Sequence, residues 1–336
     1  MYSIQTITVG ICAKNEEAII KYCLGAVCIA LRNLAHRRVQ VVVNTNSSTD
    51  ATLSIAQMFA ERYDFFHVIS SGKNLVDAQR AIVKGFPADT FVFIDADIII
   101  DKTAIQKLIL ALEENSKIVA TYATYIPHTV KKSTWLRTVN AVYDTQKQLQ
   151  TKRFYLHGRV FATRDWYFPS TKSMRLRIQN SSSKILSNLP EKNQVLIADD
   201  IFLSSYLLHK YGIGAIKQIT KAKVYYEPVH TLRDFYRGYR RRNLEMLKLT
   251  ILYPEYNYLL PYLNRKVNWK GFFFKTDFPS QIIWLYFLVQ RFVFSHILKL
   301  EIVLIVFRLR NSFEQWVPTQ SSKLIMHKKI GASFEN

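Results

Sequence analysis

The chain has 336 residues, 49 % of them hydrophobic, which excludes a disordered polymer and allows a sizeable core in one large domain or two smaller ones. It carries 46 Lys and Arg against 25 Asp and Glu. The excess is lopsided: residues 1–150 have a net charge of +3 and residues 151–336 a net of +18, so the second half calls for an anionic partner such as phosphate, an acidic membrane surface or nucleic acid.

The opening "MYSIQTITVGICAKN" has no basic n-region or cleavage site and reads as a first strand, not a signal peptide. "EEAIIKYCLGAVCIALRNL" then has helical periodicity. "VQVVVNT" is a buried strand, "NSSTD" a turn, "ATLSIAQMFAERY" a helix and "FFHVISS" a third strand. "NLVDAQRAIVKGF" is a helix, "TFVFIDADI" a fourth strand, "KTAIQKLILALEEN" a helix and "IVATYATYI" another strand. Such alternation predicts right-handed crossovers and a mainly parallel sheet flanked by helices. In such sheets ligands bind beyond the carboxyl ends of the strands, where "CAKNEE", "NTNSSTD" and "DAD" fall. The three cysteines, Cys12, Cys23 and Cys28, match no zinc spacing and read as reduced thiols of a cytosolic chain.

Beyond residue 130 the pattern loosens. "STKSMRLRIQNSSSKILSNLPEKNQ" reads as a mobile basic loop. "IADDIFLSSYLLHKYG" is a helix begun by acids, which suits the positive end of its dipole. "AKVYYEP" is a strand and "TLRDFYRGYRRRNLEMLKLTIL" a strongly basic helix. The apolar tail "SQIIWLYFLVQRFVFSHILKLEIVLIVFRLR" is interrupted by Arg291, His296, Lys299, Glu301 and Arg308. Its longest uncharged run falls short of the roughly 20 residues of a spanning helix. It reads as helix lying on a membrane or packed on the domain.

Two acidic motifs carry the chemistry. In "FVFIDADIII", Asp95 and Asp97 are two residues apart at the end of an apolar strand, so both can face one cation; the other reading is a strand ending in a polar turn. In "ADDIFLSSYL", Asp199 and Asp200 are either an acidic helix start or a pair holding a general base.

In this order the motifs resemble the family 2 glycosyltransferases of GT-A fold, over roughly residues 5–250. The resemblance implies that Ala13 and Glu16 in "ITVGICAKNEEAII" lie where the nucleotide base docks. "VVVNTNSSTDAT" is similar to the family's "DDGSTDGT" turn, with Asn46 and Thr45 replacing acids; Asn46 still donates and accepts hydrogen bonds. Lys73 and Arg80 in "GKNLVDAQRAI" are either phosphate or nucleoside contacts or a solvated helix face. "DAD" resembles the DxD motif, with Asp97 binding Mg²⁺ or Mn²⁺ and Asp95 binding metal or ribose. In "LHGRVFATR", Gly158 would let substrate approach the backbone, and His157 is a polar turn residue. "ADDIFL" resembles the EDxxL element, which makes Asp200 the base and Asp199 its neighbour. Arg237-x-x-Arg240-Arg241 falls where QxxRW is often found, with Arg240 facing the leaving diphosphate.

The expectation is therefore an α/β, GT-A Rossmann-like enzyme. It has a domain over 1–250 (nucleotide-sugar half 1–130, acceptor half 131–250) and a helical apolar C-terminal extension over 251–336. It would be an inverting, metal-dependent glycosyltransferase moving sugar from a nucleotide-diphosphate donor, a UDP-sugar, to an acceptor hydroxyl, lipid-linked or membrane-proximal. It would be cytoplasmic, peripheral on the inner face of a membrane, with an anionic lipid surface as partner and no nucleic acid. The alternatives are a nucleotidyltransferase, against which no Gly-rich phosphate loop follows the first strand, and a non-catalytic basic protein binding membrane or nucleic acid.

Overall fold

The computed structural model describes residues 5–34, 37–72, 74–128, 154–229, 231–263 and 278–307. The expected α/β architecture is present: eight strands form one sheet in the order β3-β2-β1-β4-β7-β6-β8-β5. The strands are β1 (Thr6–Cys12), β2 (Arg38–Asn44), β3 (Phe66–Ile69), β4 (Thr90–Asp95), β5 (Ile98–Ile100), β6 (Ala120–Pro127), β7 (Val160–Thr163) and β8 (Ile216–Tyr226). Helices α1 (Ile20–Leu31), α2 (Thr52–Arg62), α3 (Leu75–Gly85) and α4 (Ala104–Glu113) connect the first six.

The β3-β2-β1-β4 half is parallel. Its central strands are apolar almost throughout because both faces are covered, as in β1, where Ile7, Val9 and Ile11 have no exposed surface. The other half is mixed: β7 runs antiparallel to β4 and β6, β8 runs parallel to β6, and β5 runs antiparallel to β8. The register aligns Ile69, Asn44, Cys12 and Asp95 across four strands, with Val160 at the start of β7 opposite Ile94. One edge of the sheet therefore collects the loops after β1, β2, β3 and β4 and the turn before β7.

The stretch "FVFIDADIII" is two strands, not one. β4 ends at Asp95, a turn holds Ala96 and Asp97, and Ile98 begins β5 on the far edge of the sheet. The two acids sit at that break.

One expectation is corrected. The basic segment 170–194 is not a loop but helix α5 (Thr171–Gln179) followed by short helical turns at Lys184–Ser187 and Glu191–Gln194. Its serines start helices: Ser170 accepts from the Ser173 N–H and Ser183 from the Leu186 N–H. Met174, Ile178 and Leu186 are buried, which anchors the segment despite its polar composition.

Helix α6 (Asp199–Tyr211) and the basic helix α7 (Leu232–Leu252) follow. Packing continues past residue 250, where Tyr253 and Tyr256 meet Phe202 edge-on and Leu259 and Leu263 are buried. Helix α8 (Phe278–Val306) lies against α7 through Phe235, Tyr236 and Tyr239, which pack on Phe287 and Phe294.

Candidate active site

The turns after β1 and β2 are stitched together. Glu16 N–H donates to Thr52 Oγ1 at 2.7 Å and Ala13 N–H to the Asn44 carbonyl at 2.8 Å. Asn44 Oδ1 accepts the Asn46 and Ser71 amides, while its Nδ2 donates to the Ala78 carbonyl. That grip holds Asn46 at φ +45°, a left-handed conformation Asn tolerates. Asn46 is buried, and its Oδ1 has no hydrogen-bond partner among the described residues. A buried acceptor left open at a strand end is an invitation to a ligand N–H or O–H. Ala13 and Glu16 lie beside this turn. Lys73 lies outside the described residues.

Asp95 and Asp97 are both half-buried at the break after β4. The Asp95 N–H donates to the Arg159 carbonyl at 2.8 Å, which binds the acidic turn to the entrance of β7. Burial pushes the Asp95 carboxyl well above its ordinary value, and the charges of Asp97, Asp199 and Asp200 push the same way; the Arg159 guanidinium opposes them. Arg159 itself stacks on the Tyr226 ring at 3.8 Å.

The second acidic pair enters from α6. Asp199 is buried, and Oδ2 accepts from Gln79 Nε2 at 2.6 Å. Its carboxyl is pushed up to about 7, first by burial and then by the charge of Asp200, with the Gln79 bond and the Arg241 charge opposing. Asp200 is less enclosed: Oδ2 accepts from the Tyr155 hydroxyl at 2.6 Å and Oδ1 from the Ile201 N–H at 2.9 Å. Gly158 fits closely here, since a Cβ on it would lie 3.1 Å from Asp200 Cβ and 3.5 Å from Asp199 Oδ1. The missing side chain thus makes room for the acid pair. His157 stacks on Tyr125, whose hydroxyl donates to the His157 carbonyl, so it shapes the turn.

The basic residues divide. Arg80 donates to Asp77 and to the carbonyls of Phe168 and Pro169, so its donors tether α3 to the segment before α5. Arg237 contacts Asp234 one turn back. Arg240 donates from Nε to Glu301 on α8 at 2.6 Å, with both side chains largely buried, which directs its charge to α8. Arg241, its neighbour, is the α7 arginine whose charge reaches Asp199.

Asn44, Gln79, Tyr155 and Arg159 form part of this constellation without having been singled out in the sequence, and Arg241 was named only as part of the basic motif. Gln79 and Arg159 are each next to a residue that was singled out, which is the signal the sequence held for them.

Among the described residues no group of three or more His, Cys, Asp or Glu is arranged as a metal cage. The donor set still fits a hard divalent cation. Asp95 and Asp97 offer hard oxygens at one turn, their mutual repulsion is only partly offset by the Arg159 charge, and a bound diphosphate would complete the ligands.

The raised Asp199 carboxyl makes a stability prediction for metal-free protein. The native state holds this proton up to about 7, while the unfolded chain releases it near 3.8. Between those values the native state binds more protons, so stability falls as pH rises. Asp199→Asn keeps an acceptor for Gln79 and removes the penalty. Its melting temperature should exceed the wild type's more at pH 8.5 than at pH 5, by calorimetry in EDTA; an equal difference at both would refute the assigned burial cost.

Residues 8–168 match the family model described as glycosyl transferase family 2. No curated protein matches the chain. Among solved structures, the glucosyl-3-phosphoglycerate synthase of Mycobacterium tuberculosis with Mn²⁺, UDP-glucose and phosphoglyceric acid is 18 % identical. The match covers 74 % of this chain and 80 % of that one, with a TM-score of 0.47. The same synthase with UDP is 19 % identical over the same shares, with a TM-score of 0.46. What those complexes hold is a property of that synthase.

Proposed function

We propose that the protein is an inverting glycosyltransferase that takes a nucleotide-diphosphate sugar, a UDP-sugar, and transfers the sugar to an acceptor hydroxyl. One observation carries the reading. Asp95 and Asp97, and Asp199 and Asp200, about a hundred positions apart in sequence, form one electrostatic cluster at the carboxyl edge of the sheet. Asp200, held by Tyr155 and the Ile201 amide, takes the acceptor proton as the hydroxyl oxygen attacks the anomeric carbon and the bond to the diphosphate breaks. A single displacement inverts the centre and needs no covalent sugar on the enzyme. Asn46, Ala13 and Glu16 would hold the nucleoside. Mg²⁺ or Mn²⁺ held by Asp95 and Asp97 would supply charge neutralisation for the leaving diphosphate.

The test is a panel of nucleotide sugars, read by nucleotide release with Mn²⁺ and with EDTA. Release from a UDP-sugar that depends on the metal supports the reading. Pyrophosphate release from a nucleoside triphosphate and a sugar phosphate would replace it with a nucleotidyltransferase, and inertness throughout with a binding protein.

The acceptor side of the proposal is a membrane-proximal hydroxyl. Among the described residues no helix is long and apolar enough to cross a membrane. Helix α8 is instead two-faced in an unusual sense. Trp284, Phe287, Gln290, Phe294, Leu298, Glu301 and Ile305 are buried, so its polar Gln290 and Glu301 point inward. Ile282, Leu285, Val289, Phe292, Leu300 and Val303 form the opposite, exposed face, with Phe292 65 % exposed. The helix is about 43 Å long at 1.5 Å per residue, and the half of the chain that carries it has the charge excess. Anionic lipid suits both features, since apolar burial and about 1 kcal/mol per basic residue near the surface add. Leu285→Glu with Phe292→Glu should weaken binding to phosphatidylserine vesicles by at least about tenfold and leave UDP affinity alone. Vesicle binding that is unchanged, or a wild type that buries this face by self-association in sedimentation, would overturn the lipid assignment.

A further inference from the structure

We propose that Glu245, with Lys248, is a positioning residue for the acid pair at the head of α6; the inference rests on the proposed catalytic role of Asp200. Glu245 lies on α7 and is 2 % exposed. Its Oε2 accepts two consecutive backbone amides, Ile197 N–H at 2.8 Å and Ala198 N–H at 3.0 Å. Its Oε1 accepts from Lys248 Nζ at 2.7 Å, and the same ammonium donates to the Val195 carbonyl at 3.0 Å. Three bonds from one turn of α7 therefore grip residues 195–198, the run that ends one residue before Asp199, and the fourth ties the two gripping side chains together.

The need for that grip is local. Ala198 occupies the cap of α6 and has no side chain to bond the backbone, so the amides at the entrance to the helix need an acceptor from elsewhere. A buried carboxylate that gathers adjacent N–H groups meets the need, and Lys248 neutralises it where water cannot. The pair is not required to hold α7 in place, because Leu249 and Leu252 are buried on the same helix and do that by packing. Buried ion pairs contribute little net stability compared with apolar residues of similar size, so its value here lies in direction. Once residues 197 and 198 are held, the rigid first turn of α6 sets where the Asp200 carboxylate points. A displacement of about 1 Å there is enough to cost about a hundredfold in rate. The same helix carries Arg241, whose charge acts on Asp199, and Arg240, which bonds Glu301 on α8, so α7 contributes to both the electrostatics and the alignment of the acid pair.

The test compares Glu245→Gln and the double variant Glu245→Met with Lys248→Met. The double variant replaces the pair by apolar side chains of similar length and leaves no buried charge, so it is the one expected to fold if the single variant does not. Turnover is measured with the sugar that the donor panel uses fastest, and affinity with UDP and Mn²⁺. Turnover should fall at least about tenfold while UDP affinity stays within about twofold. Added to Asp200→Asn, the double substitution should lower the residual turnover no further, because both act through one carboxylate. Wild-type turnover in the folded double variant would overturn the proposal, as would a loss that multiplies with Asp200→Asn or one matched by lost UDP affinity. Full turnover in Asp200→Asn alone would instead overturn the base assignment, which separates the two failures.

Discussion

Asp200→Asn should abolish most transfer while leaving the donor bound. Removing a general base costs about 10²–10⁴-fold in rate, and the amide that replaces it cannot take a proton from the acceptor hydroxyl. The substitution is nearly isosteric, and its single amide oxygen can still accept from Tyr155 or from the Ile201 N–H, so the fold of the site should be kept at the cost of one hydrogen bond. Asp199→Asn should be milder in transfer. Asp199 is enclosed and engaged with Gln79, which suits support of the local charge better than meeting an incoming hydroxyl. UDP release from the active donor, with UDP and Mn²⁺ titrated separately, measures both. If Asp199→Asn proves the more damaging, the two acids exchange roles, and the buried carboxyl whose proton leaves near 7 becomes the base.

Asp97→Asn should have the second large effect, on binding rather than on chemistry. It halves the anionic oxygen supply at the turn after β4 and relieves part of the repulsion that raises Asp95. Mn²⁺-dependent UDP affinity should fall at least about tenfold, of the order of one charge-assisted contact in a partly buried site. In EDTA the wild type and the variant should bind UDP equally weakly. The Mn²⁺ resonance signal gives a second reading without turnover, because free ion should persist in the variant at concentrations where the wild type takes it up. Equal affinity in the two proteins with Mn²⁺ present, or full wild-type turnover in EDTA, would remove the metal from the proposal.

Much of this was readable in the chain. Alternating apolar strands and periodic helices through residue 127 predicted the α/β sheet, because each element's own pattern records which faces it must bury. The acids of "DAD" stood out because carboxylates inside an apolar run need a reason, and the structure puts them at a strand break. Composition misled at residues 170–194, where four buried side chains among the described residues (Met174, Ile178, Leu186 and Leu189) and two serine caps outweigh a polar, basic sequence.

The sequence by itself determined the kinds of element, their order and the two acidic motifs, since those depend on neighbours within a turn or a strand. Only the tertiary structure decided which motifs meet. The strand register brings Asp95 level with Cys12 and Asn44, and the reversal into β7 brings Gly158 against the Asp199–Asp200 pair. It also settled the direction of side chains that the sequence left open. Arg80 turned to Asp77 and to backbone carbonyls and Arg240 to Glu301, while the charge of Arg241 is felt at Asp199. A long charged side chain can reach many places; the Asp77 partner of Arg80 is local, but Phe168, Pro169 and Glu301 are distant in the chain, so no local pattern gave the destinations of all three arginines.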